Sequence, residues 1–119
     1  MSFGDAIKTC FNKYATFDGR AGRAEYWWFA LFYLIIYAVA LVIDIVAGTK
    51  FVFILIVSLG MLLPTLAAGV RRLHDIDKSG WWYFISLIPF IGGIWLLVLF
   101  VQAGTPGQNS YGPPPAQTA

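Results

Sequence analysis

Charged residues are unevenly placed along this chain, and the gaps between them define its elements. Tyr26 to Ile43 carries no charge, and the apolar stretch continues to Ala47 with only Asp44 interrupting it. Phe51 to Val70 is a second uncharged run. No charge occurs from Ser79 to Ala119, and within that region Trp81 to Val101 is apolar enough to form a third run. A hydrocarbon core about 30 Å thick is crossed by about 20 helical residues. The pattern therefore predicts transmembrane helices over 26–47, 51–70 and 81–101, with a polar loop over 71–80. The runs lack the alternation of barrel strands. Ala38-Val39-Ala40 resembles a signal-cleavage site. The apolar stretch begins late and runs well past it, however, whereas a signal core is about 7–15 residues long. The first run is read as a retained span.

The segment before the first span has its own periodicity. At about 100° per residue, Phe3, Ala6, Ile7, Cys10, Phe11, Tyr14 and Phe17 fall on one side. Asp5, Lys8, Asn12 and Lys13 lie off that side. This predicts a short interfacial helix over 2–17, anchoring the depth of the first span or packing on the bundle. At the other end, residues 102–119 are rich in proline and glycine and cannot continue a helix. Pro113 to Pro115 are expected to be extended. The chain reads as a single membrane domain without internal repeats.

Composition agrees with this reading. Of 119 residues, 59% are hydrophobic and 12% charged, about half the charged fraction of an ordinary soluble domain. This excludes a soluble enzyme, a disordered chain and a disulfide-stapled module. Cys10 is the single cysteine, so no internal bridge is available. No cluster of His, Cys and carboxylates has metal-ligand spacing, and no cofactor or nucleic-acid partner is implied.

Charge also sets the expected orientation. Lys8, Lys13, Arg20 and Arg23 precede the first span, only Lys50 follows it, and Arg71, Arg72 and Lys78 follow the second. Basic residues favour the cytoplasmic side. Three spans then place the N-terminus inside and the C-terminus outside. Arg20, Arg23, Glu25, Arg71, Arg72, His74 and Asp75 gather at the cytoplasmic face as a polar ring, beside the interfacial rings of Tyr26, Trp27, Trp28, Trp81 and Trp82. Arg71 and Asp75 are spaced to pair at i,i+4. Ser79 suits the N-cap of the third helix. The excess positive charge attracts anionic lipid at about 1 kcal/mol per basic residue near the surface.

Three features invite more specific chemistry. His74 beside Asp75 has the form of an oriented general base, but it is the only histidine and is read as structural. Asp44 is a carboxylate within an apolar run; about 27 Å along the helix from Tyr26, it lies near the outer interface, with Lys50 as partner. Pro64 and Pro89 interrupt the second and third runs at matching depth, leaving the carbonyls of Gly60 and Ile85 without their helical donors. Paired interruptions of this kind suit a transport site.

Phe17-x-Gly19-Arg20-x-x-Arg23-x-Glu25-Tyr26-Trp27 and Arg71-Arg72-Leu73-His74-Asp75-x-x-x-Ser79-Gly80-Trp81-Trp82 form two specific blocks. Pro89-x-x-Gly92 and Gly104-x-Pro106-Gly107-x-Asn109-x-Tyr111-Gly112-Pro113 follow them. Together they resemble the signatures of the YhaH/YhaI-type family of small bacterial inner-membrane proteins, a domain of unknown function. Asp77 stands where that family often has glycine, and Ser110 where it often has a basic residue. The resemblance implies an inner-membrane location and no assigned activity. The sequence is thus read as an all-α integral membrane protein, with three transmembrane helices, a preceding interfacial helix and an irregular tail. It is expected to be a non-enzymatic structural or accessory component, contacting anionic lipid or a membrane partner through its ring, as a homo-oligomer or within a larger complex. The alternative is an oligomeric channel or exporter built on the kinked helices.

Overall fold

The computed structural model describes residues 2–114, and all its regular elements are helical. α1 spans Phe3–Asn12, α2 Arg23–Ala47 and α3 Val52–Asp75, followed by a 3₁₀ helix over Gly80–Leu87 and α4 over Ile91–Val101. The Ser2 hydroxyl opens α1 by accepting from the Asp5 amide at 3.1 Å. α1 ends at Asn12, short of the expected 17, and Phe11 packs edge-on against Phe29 and Phe32 of α2.

α2 and α3 are long and apolar enough to cross a membrane, and they form an antiparallel hairpin. Gly48 closes α2 in the left-handed region at φ 67°. Asp44 then serves the turn: its carboxylate accepts from the Thr49 hydroxyl at 2.5 Å and from the Phe53 and Ile54 amides at 3.0 and 2.9 Å. The expected Lys50 partnership gives way to these bonds, because the first amides of a helix have no partners of their own and favour a negative group. Along α2, Glu25 and Asp44 are about 28 Å apart, close to the thickness of a hydrocarbon core.

The third apolar run differs from expectation. It is two short arms meeting at Ile88, Pro89 and Phe90 instead of one helix. The 3₁₀ arm is about 16 Å long and α4 about 16 Å, so neither crosses the core alone. Phe90 takes φ 63°, turning the chain where Pro89 cannot donate. Gly92 seats directly on the Ile85 carbonyl, where any Cβ would collide. Ser79 does cap the first arm, its hydroxyl accepting from the Trp81 amide at 3.3 Å.

Both arms begin and end at the same level. Gly80 lies against Val70, while Leu96, Leu99 and Phe100 of α4 bury Leu73 near the end of α3. Residues 102–114 therefore return to the arginine-bearing end. The expected third crossing, with the tail on the opposite side, is not confirmed: neither arm is long enough to span alone, and the Gln102 and Thr105 carbonyls bond Arg72 and Arg20. The expected polar loop 71–80 also shortens, since Arg71 to Asp75 belong to α3. Pro115 and residues 116–119 of the expected tail lie outside the described residues.

Two apolar clusters hold the molecule together, one around Cys10, Phe29, Met61 and Ala68 and the other around Leu73, Leu96, Leu99 and Phe100. The second lies at the arginine end, and the first runs from that end to the middle of α3 at Met61. Toward the Asp44 end, Ala40 is the buried apolar side chain among the described residues.

Candidate functional site

The ring residues are drawn into the protein instead of lining its surface. Arg71 and Arg72 are 0% exposed, and Arg20, Glu25, His74 and Asp75 are also buried. Consecutive positions on α3 point Arg71 and Arg72 to different neighbours, about 100° apart around the helix. Arg71 pairs with Glu25 of α2 and donates from Nε to the Thr16 carbonyl at 3.1 Å. Arg72 donates from Nη1 to Asp75 Oδ2 at 3.0 Å and from Nε to the Phe100 carbonyl at 2.9 Å, and it also bonds the Gln102 carbonyl. The i,i+4 pair expected between Arg71 and Asp75 is thus replaced by an i,i+3 pair from Arg72, which leaves Arg71 to tie α3 to α2.

Arg20 completes the cluster. Its Nε donates to Asp75 Oδ1 at 3.0 Å, so one carboxylate bridges two guanidiniums. Its remaining protons meet carbonyls of Asp75, Thr105, Gly107 and Gly112 at 3.2, 2.5, 2.7 and 3.2 Å. Three of those acceptors lie in the tail. Gly104 allows this approach, since a Cβ there would strike the Asp75 carboxylate. The Thr105 amide closes the same loop on the Asp75 carbonyl at 2.7 Å.

His74 is fixed from two sides. Its Nδ1 lies 2.9 Å from the Gly19 carbonyl, and its ring stacks on Tyr111 at 3.9 Å and 2°. Asn109 donates to the His74 carbonyl at 2.9 Å. The imidazole is held as a packing surface for the tail. Arg23 departs from the group: it is exposed, and its Nη1 reaches the Val101 carbonyl at 3.4 Å. Of the seven residues expected in the ring, six are therefore brought together and Arg23 stays at the rim.

Cys10, read in the sequence as part of the apolar side of α1, also meets the polar cluster. Its Sγ lies 3.9 Å from Glu25 Oε2, and burial foremost, then the Glu25 charge, pushes the thiol up to about 12. The tail residues were hidden in function, although their Gly-Pro-Asn-Tyr block was visible as a signature. Among the described residues, no group of three or more His, Cys, Asp or Glu side chains is placed to hold a metal ion. Four shallow surface hollows, lined in part by Trp82, Trp95, Trp27 and Tyr33, include no residue of the cluster.

Comparison with known proteins places these features in a lineage. The family described as protein of unknown function (DUF805) matches residues 14–113. The chain is 44% identical over 105 residues to the inner membrane protein YhaI of Escherichia coli (strain K12), covering 87% of this chain and 89% of the relative. It is 43% identical over 109 residues to the inner membrane protein YhaH of the same strain, covering 87% and 90%. A more distant relative, the uncharacterized protein YiiR of that strain, is 29% identical over 126 residues, covering 82% and 84%. No solved structure matches. Since the family match takes in the Arg20 flank, the Arg71–Asp75 block and the tail that binds them, the chain belongs to the DUF805 family.

Proposed function

We propose that this is a bacterial inner-membrane protein with two spans, both ends cytoplasmic, and a re-entrant hairpin between α3 and the tail. Its role is structural or accessory and not enzymatic. The carrying observation is that the buried arginines are engaged within the chain. Arg20 and Arg72 together hold Asp75, the end of α4 and the tail, and Arg71 ties α2 to α3. The cluster is then a clasp. It gives a short third run a reason to return, because burying these guanidiniums requires the carbonyls that only the returning chain supplies.

Headgroup contact moves from the ring to its rim. Lys8 and Arg23 are exposed and Lys13 is partly so, near interfacial Trp27, while Lys78 lies 5.0 Å from the Trp82 ring at the same end. Tryptophan at this level and cations beside it suit an anionic leaflet.

Copurification from gentle detergent followed by lipid analysis tests this reading. Replacing Lys8, Lys13 and Arg23 together with Gln removes about 3 kcal/mol of attraction, on the order of a hundredfold in anionic-lipid partition. The rim variant is expected to lose anionic lipid while keeping its helical content, and Arg72→Gln to lose its folded state. Wild-type retention of anionic lipid by the folded rim variant would overturn the headgroup contact.

A further inference from the structure

The distribution of mass along the membrane normal is lopsided. At the arginine end the chain packs α1, the first half of α2, the second half of α3, the 3₁₀ helix, α4 and the tail. At the Asp44 end, among the described residues, there are two helices. The clearest marker is packing: one apolar cluster sits at the arginine end and the other runs from that end to the middle of the hairpin at Met61, whereas Leu55, Ile56 and Leu59 of α3 and Val39, Val42 and Val46 of α2 stand exposed beyond it.

The hairpin arms set the depth of the excess. At about 16 Å each, they reach no further than the middle of a core about 30 Å thick. The turn fits that depth. Leu87, Ile88, Phe90 and Ile91 are all exposed, Phe90 at 88%, and no charge occurs between Ser79 and Val101. An apolar tip without charge suits acyl chains. α1 adds to the same half, since Phe3 packs against Trp28 and Phe32 while Phe11 packs against Phe29 and Phe32. Each helix excludes a cylinder about 10–12 Å across, so the arginine-side leaflet accommodates roughly twice the protein area of the other.

We propose that the molecule is a single-leaflet wedge, whose fitting partner is a lipid bilayer curved so that the arginine-bearing face is convex. This rests on the two-span reading above. Lateral crowding in one leaflet is relieved where that leaflet is expanded, and partial-depth apolar helices respond to curvature for this reason. The protein thereby concentrates at, or helps to form, regions where the cytoplasmic leaflet bends outward around it.

The test reconstitutes the full chain, carrying Cys10→Ala and either Asp18→Cys or Gln108→Cys, into vesicles of one phosphatidylcholine and phosphatidylglycerol mixture. Small sonicated vesicles are compared with large extruded ones, and a membrane-impermeant thiol reagent reads which face is outside. Both probes are expected to become more accessible together in the small vesicles, raising the outward-to-inward ratio by about threefold. Equal ratios at both sizes, with the two probes still on one side, would overturn the wedge and leave the two-span reading standing. Probes on opposite sides would overturn both.

Discussion

At the residue scale, Asp75 carries the most. One carboxylate faces Arg20 and Arg72, each at 3.0 Å, and its backbone carbonyl accepts from Arg20 and Thr105. Removing one partner of a buried pair costs about 3–5 kcal/mol, because the other charge stays in a poor medium. Asp75→Asn, similar in shape, is expected to lower thermal stability in mild detergent by that amount and to expose the tail to protease. An unchanged melting temperature would show that the pairs do not bear load. Cys10 makes a second prediction. Its folded-state pKa is raised to about 12 from 9.0, so folding favours the protonated thiol. The contribution is complete below pH 9 and is lost as pH rises from 9 toward 12. Cys10→Ala is expected to flatten that part of the stability profile. The clustering of these charges was legible in the sequence, since the Lys/Arg flanks point to one face. The pairing was not, because it depends on which side of α3 each arginine occupies. The two departures from the family pattern, Asp77 and Ser110, meet in space: Asp77 stands at φ 62°, where glycine is more at ease, and its carboxylate accepts from the Ser110 amide at 3.1 Å.

At the element scale, the proline in α3 shows how a helix defect is repaired. Pro64 has no amide proton, so the Gly60 carbonyl loses its donor. The Tyr14 hydroxyl takes the place, 2.5 Å from that oxygen, and so joins the segment after α1 to the middle of α3. Gly60 and Tyr14 are exposed on a surface that the two-span reading places in lipid, so Tyr14→Phe is expected to cost about 1–3 kcal/mol, the cost of an acceptor left unsatisfied away from water. In the Pro64→Ala background the helix can restore its own bond, and the same change is expected to approach neutrality. Equal costs in both backgrounds, measured by thermal unfolding, would separate Tyr14 from Pro64. The orphaned carbonyl was readable from the sequence, and its distant donor was not. The third apolar run was harder. Its composition suits one spanning helix or two shorter arms equally, and Pro89 is compatible with a kink or a turn. What decides it is tertiary: the carbonyls of Phe100 and Gln102 are drawn to Arg72, and the sequence distance to that arginine says nothing of this.

At the scale of the whole molecule, a chain of dimensions 50 × 33 × 20 Å carries a polar clasp at one end and a capped turn at the other. Asp44 and the Glu25–Asp75 group mark those ends, and the apolar surface between them matches a bilayer. Membrane character and two of the helices follow directly from uncharged runs, since lipid tolerates few alternatives. Sidedness of the tail does not, because a tail without charge carries no topological signal. Residues 102–114, after α4, return to the arginine end, and the rest of the proposed arrangement depends on that return. The return is tested most directly by thiol accessibility in intact bacterial cells and in inverted membrane vesicles. Single cysteines are placed at Asp18, Lys50 and Gln108 in a Cys10→Ala background. Positions 18 and 108 are expected to react together from the cytoplasmic side, and position 50 from the other. Reaction of position 108 alongside position 50 would contradict the return.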